Sequence, residues 1–140
     1  MKAGNHIVWT PRFEVGIPEL DADHREMVQR INQIGVLCEE GNLTDALAGL
    51  RELHVLSTEH FAREEEIVRS LSGQLTSAHI KAHKSRAQEL LEVEGRIAAE
   101  TGPYSLDKLP PFLVHWFCRH AIGYDAQIRS YFFQDEPVVR

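Results

Sequence analysis

The chain has 140 residues, 43% hydrophobic and 26% charged, with a formal net charge of −6 when histidine is neutral. That size suits a single domain around one core, and an acidic balance without a Lys/Arg cluster argues against a nucleic-acid partner. No apolar run approaches the roughly eighteen residues of a membrane span, and no signal peptide follows Met1, so the cytoplasm is the expected compartment and no membrane partner is expected.

Residues 1–20 read as an arm, because Pro11, Gly16 and Pro18 interrupt any helix. Ile7, Val8, Trp9, Phe13, Val15 and Ile17 need cover, so the arm should lie along the rest of the domain. Trp9 is expected to fill a groove.

Asp21 is the expected N-cap of a first helix running to about Glu40, with Gly41-Asn42 as its stop. Met27, Val28, Ile31, Ile34 and Leu37 form its apolar stripe, on the side of His24. Thr44 should cap a second helix from Asp45 to about Leu71. Its inward face reads Leu47, Leu50, Leu53, Leu56, Ser57, His60, Phe61, Glu64, Ile67 and Val68. Glu65 and Glu66 read as solvated.

Thr76 or Ser77 should cap a third helix ending near Glu100, with His79, Ile80, His83, Ala87, Leu90, Leu91 and Ile97 inward. Ser105 caps one short turn. Pro110-Pro111 should break the chain and restart it as a fourth helix, Pro111 to Phe133, with a loose polar tail at 134–140. The expected architecture is all-α: an up-down-up-down antiparallel four-helix bundle over 21–133, preceded by the arm, in a single domain spanning 1–140.

Two cysteines, Cys38 and Cys118, are too few and too far apart for a zinc site and read as buried thiols. Eight histidines are many, and their spacing is informative. His60 and Glu64 are four apart, as are His79 and His83, which puts each pair on one helical face. His120 and Asp125 are five apart, and His24 stands alone on the first helix. Singly, each has an ordinary explanation as a core histidine or a surface contact. Together they bring five imidazoles and two carboxylates inward from all four helices. Buried without partners, each would cost about 1–3 kcal/mol, and the charged ones more. Metal binding removes that cost.

Seven donors exceed one metal's share, so two metals bridged by carboxylates fit better. A bridged site points to iron or manganese, and its wealth of nitrogen suggests reversible redox chemistry rather than C–H oxidation. His6, His54 and His115 fall outside these pairs. Trp116, one turn before His120, should pack in the core and wall the site.

These residues carry a family resemblance. Val15-Gly16-Ile17, Asp21-Ala22-Asp23-His24, His60-Phe61-Ala62-Arg63-Glu64-Glu65, His79-Ile80-Lys81-Ala82-His83 and Trp116-Phe117-Cys118-Arg119-His120 through Asp125 are similar to the bacterial hemerythrins, single-domain di-iron oxygen-binding proteins. The resemblance covers about residues 9–133. It implies one iron held by His79, His83 and His120 and another by His24 and His60. Glu64 and Asp125 would bridge them together with an oxo or hydroxo group, and O2 would bind at the open position on the second iron. It implies oxygen storage, delivery or supply to an oxygen-using partner protein, with no catalytic residue and the chain a monomer. An O2 or redox sensor acting through a partner, and a scavenger of peroxide or nitric oxide, are the alternative roles.

The chain departs from the family at Val68, where methionine is frequent, at Ile128, where tyrosine is common, and at Ser72-Gly73-Gln74, which replaces Gly-Tyr-Pro. The step from His120 to Asp125 turns about 500° on a regular helix, leaving the side chains ~140° apart. Either Asp125 reaches in from the flank, or the helix widens locally into a π-turn.

Overall fold

A computed structural model describes residues 6–70, 73–99 and 103–124. A short 3-10 turn, Pro11–Phe13, precedes four helices: α1 Pro18–Glu39, α2 Leu43–Arg69, α3 Gly73–Ala99 and α4 Pro103–Cys118. A π-helical segment, Arg119–Tyr124, continues α4. The described residues contain no strand.

Cross-helix contacts give the topology. Along α1, His24, Arg30 and Ile34 meet His60, Glu52 and Gly49, so α2 descends as α1 rises. Glu64 and Arg51 of α2 meet His83 and Glu94 of α3. His83 and Arg86 of α3 meet His120 and Trp116 beyond. His24 packs on Phe117, while Cys38, at the other end of α1, feels the charge of Asp107. Every neighbouring pair is antiparallel, which makes an up-down-up-down four-helix bundle.

The long core is built from the expected stripes. Ile31, Ile34, Leu50, Leu53, Leu90, Leu109, Leu113, Trp116 and Phe117 are all buried within it. Leu90 and Leu91 are adjacent and about 100° apart on a helix, so only one can face inward. Leu90 does; Leu91, expected inward as well, is 48% exposed. Along the arm the backbone alternates: Ile7 and Phe13 are buried, whereas Val8 is exposed. Val15, Leu20 and Val68 form a separate small cluster where the arm enters α1.

Helix ends depart from expectation for local reasons. α1 begins at Pro18, three residues before Asp21, because proline suits the first turn, where no N–H partner is needed. Asp21 is therefore no N-cap. Its carboxylate instead accepts from the backbone N–H groups of Val15, at 2.7 Å, and Gly16, at 3.3 Å, and pins the arm to the helix. Gly16, at φ 87°, supplies the left-handed turn this needs. At the other end Gly41 takes φ 72°, its N–H donates to Cys38 O, and that of Asn42 to Leu37 O, the paired bonds of a Schellman stop.

Asn42, not Thr44, caps α2, with its side-chain oxygen accepting from Asp45 N–H at 3.1 Å. α3 is already helical at Gly73, ahead of the expected caps at Thr76 and Ser77.

The largest correction concerns Pro110-Pro111. α4 runs straight through both prolines from Pro103, so the short capped turn and the restart at Pro111 do not occur. The carbonyls one turn back lose two helical donors, those of Leu106 and Asp107. Burial of Leu106, Leu109, Pro110 and Leu113 on the core offsets that loss, and Asp107 is exposed, where water can serve its carbonyl. The expected end of the helix at Phe133 and the tail at 134–140 lie outside the described residues.

Candidate metal centre

His24, His60, Glu64, His79, His83 and His120 are all buried, each no more than 2% exposed. They come from α1, α2, α3 and the π segment. The 3.6-residue period stacks His60 with Glu64 and His79 with His83, and antiparallel packing brings the pairs face to face. One oxygen of Glu64, Oε2, stands 2.9 Å from His60 Nε2 and 3.7 Å from His120 Nε2. The other, Oε1, stands 2.7 Å from His83 Nε2. The Nε2 atoms of His60 and His120 are 3.1 Å apart. Donor atoms of His24, His60, Glu64 and His120 all fall within 4.8 Å of one another. The His79 ring centroid lies 5.7 Å from that of His83.

The outward nitrogens of three rings are held. His24 Nδ1 donates to Phe13 O at 2.6 Å, His60 Nδ1 to Asp23 Oδ2 at 3.0 Å, and His83 Nδ1 to Glu65 Oε2 at 2.8 Å. With Nδ1 donating outward, Nε2 is the ring nitrogen left to the centre, the arrangement of metal-binding imidazoles. Buried imidazoles whose Nε2 atoms converge on one carboxylate form a donor set suited to a metal.

The π segment bears on the expected widening of the helix after His120. It includes His120 and extends to Tyr124, so the backbone itself widens there. A Cβ built on Gly123 meets nothing within 4 Å, so no close approach demands glycine at that position. Asp125 lies outside the described residues.

Comparison with known proteins agrees with this geometry. Residues 15–123 match the family described as the Hemerythrin HHE cation binding domain. The chain belongs to the hemerythrin family. Among curated relatives, a bacteriohemerythrin of Pseudomonas aeruginosa is 29% identical over 122 residues, covering 86% of this chain and 78% of that protein. One from Pseudomonas paraeruginosa matches to the same extent. One from Stenotrophomonas maltophilia is 26% identical over 121 residues, 85% of this chain and 76% of its own. The chain is thus a hemerythrin-type metal-binding domain, and none of its described helices is long and apolar enough to cross a membrane.

Within this hemerythrin bundle the outer partners are the residues that sequence reasoning passed over. Glu65, read as solvated, is only partly exposed and accepts a hydrogen bond from His83 Nδ1. Asp23 is buried between His60 and Arg63, whose Nε and Nη2 donate to its two oxygens at 2.9 and 2.8 Å. Burial alone would raise the Asp23 carboxyl. The hydrogen bonds from His60 and Arg63 outweigh it and hold the group below the usual carboxylate range. The Phe13 carbonyl behind His24 carries no side-chain signal at all.

Aromatic rings enclose the centre. Phe61 stacks on His83 at 4.3 Å and 9°, and Phe117 meets His24 edge-on at 5.6 Å. Trp116 is buried and donates to Arg86 O at 3.0 Å, tying the segment before His120 to α3. Trp9 touches Phe13 at 5.5 Å, two rings away from His24, and lies under Arg25. It is partly buried and packs against the main core. His54 is half-buried and His115 exposed, and neither belongs to the cluster.

Proposed function

We propose that the chain binds O2 reversibly at a pair of iron ions held in this centre. The observation that carries the reading is Glu64, whose two buried oxygens face imidazoles from opposite sides, as a carboxylate shared by two ions would. His79 and His83 would hold one ion with His120, and His24 and His60 the other. Asp125 would be the second bridge. His120 lies between both groups, its ring 5.2 Å from His60 and 5.6 Å from His83. The names of the bacteriohemerythrins support the same reading.

The two iron ions would supply the two electrons that O2 takes up on binding and returns on release. The protein's part is to orient and to exclude. Phe13 O, Asp23 and Glu65 fix the Nδ1 protons, so that His24, His60 and His83 each offer Nε2. Phe61 and Phe117 keep water away from the rings they cover, which protects bound oxygen from loss with a proton.

The test is optical. The protein is loaded with iron, reduced without air and exposed to O2. A visible band that persists in O2 and vanishes under vacuum, with close to two irons per chain, is the expected outcome. Immediate, irreversible oxidation without that band would overturn the carrier reading.

A further inference from the structure

The carboxylates behind His60 and His83 differ in local charge as well as in burial. Asp23, behind His60, shares its Oδ2 between His60 Nδ1 and Arg63 Nε, while its Oδ1 takes Arg63 Nη2. The guanidinium grips both oxygens, the strongest geometry available to such a pair. Glu65, behind His83, accepts from His83 Nδ1 at 2.8 Å. Among the described residues no Lys or Arg forms an ion pair with it.

A carboxylate hydrogen-bonded to Nδ1–H draws the proton outward and makes the ring a stronger donor at Nε2. A cation bound to that carboxylate weakens the pull. In the third ring of this arrangement, His24, Nδ1 donates to the backbone carbonyl of Phe13.

We propose that Arg63 and Glu65 are positioning residues that make the two faces of the centre electronically unequal, with His83 a stronger donor than His60 because Arg63 neutralises Asp23 while Glu65 keeps its charge. The inference rests on the metal reading above and adds a direction to it. The stronger donor, His83, would favour the higher oxidation state of an ion beside it more than His60 would. His60, the weaker donor of the two, belongs to the face assigned to O2, where an ion would favour its lower oxidation state.

The test uses the zinc-loaded full chain, because zinc takes imidazole ligands and has no redox chemistry of its own. The 15N shifts of the histidine Nδ1 atoms report how far each proton is drawn outward. In the parent chain His83 Nδ1 should lie further toward the imidazolate end than His60 Nδ1. Arg63→Gln should move the His60 signal toward that end and leave His83 in place. Glu65→Gln should move His83 the opposite way, leave His60 in place, and loosen zinc by about 10–100-fold in competition with a chelator. Arg63→Lys keeps the charge and should return His60 most of the way to its parent value. Equal shifts for His60 and His83 in the parent, or an Arg63→Gln chain whose His60 signal does not move, would overturn this inference alone. A chain that takes up no zinc would instead undo the metal reading beneath it.

Discussion

Glu64 and His83 face each other across the α2–α3 seam, Oε1 to Nε2, at 2.7 Å with both side chains buried. The opposite oxygen of the same carboxylate is committed to His60, on its own helix. A buried carboxylate is expensive unless its charge is met on every side. Here imidazoles from α2 and α3 meet it, a buried donor set that a cation would complete.

On the proposed iron reading, His83→Ala should lose most of the iron that the parent takes up, whereas His54→Ala should leave uptake at the parent level. His83 is enclosed by Glu64, Glu65 and the Phe61 ring, while His54 lies on the half-buried flank of α2. Iron per chain after purification or reconstitution, measured by elemental analysis, checks the pair. Equal loss from both would break the assignment.

Gly49→Ala should destabilise the bundle, even though alanine is the better helix former by about 1 kcal/mol. A Cβ at this position would stand 2.9 Å from Ile34 Cγ1, in the middle of the α1–α2 contact. Overpacking of this kind costs about 1–3 kcal/mol, so the net loss should be about 1 kcal/mol. Urea unfolding of the metal-free protein measures it. In an Ile34→Ala background, where the clash is gone, the same change should stabilise.

The bundle was legible because its signal is periodic. Ile31, Ile34, Leu50, Leu53 and Leu90 recur at helical spacing, and the same spacing stacks His60 on Glu64 and His79 on His83. Element ends were less legible, since they turn on single contacts. Asp21 looks like a cap yet clasps the arm, and Asn42 caps in place of Thr44. The passage of α4 through Pro110-Pro111 was hidden, because tertiary burial of Leu109 and Leu113 outweighs local propensity and no local rule registers that. The outer partners of the centre were hidden for another reason. Asp23 reaches His60 across 37 residues of chain, Glu65 reaches His83 across 18, and Phe13 contributes only its backbone. Spacing within one helix says nothing about such pairs.

Cys38 should be much less reactive than Cys118 in the folded protein. Burial pushes the Cys38 thiol up to about 11 from its ordinary 9.0, with the charges of Asp107 and Glu39 adding to the shift. Cys118 is only half-buried, and Arg12 partly counteracts the rise there. At pH 8, alkylation followed by mass spectrometry should label Cys118 well before Cys38. The folded state holds the Cys38 proton more tightly than the unfolded chain, so its contribution is fully present below about pH 9. It is lost as pH rises toward about 11, by about 2–3 kcal/mol at most. Cys38→Ala should remove that part of the alkaline slope in urea unfolding and leave the remainder.

Asn32→Ala should release the arm and disturb the centre from a distance. The Asn32 amide accepts from Ile7 N–H at 2.7 Å and donates to Ile7 O at 2.9 Å, closing a reciprocal pair with the backbone of the arm. Further along, the same arm brings Phe13 O to His24 Nδ1. Losing two partly buried hydrogen bonds should cost about 1–3 kcal/mol of arm docking, since each is worth about 0.5–1.5. Limited proteolysis should then cut within residues 8–14 at a low protease dose that leaves the parent chain whole. If His24 is held in place through the arm, the variant should also release iron to a chelator faster than the parent. Faster cleavage with unchanged iron release would show that α1 alone keeps His24 in place.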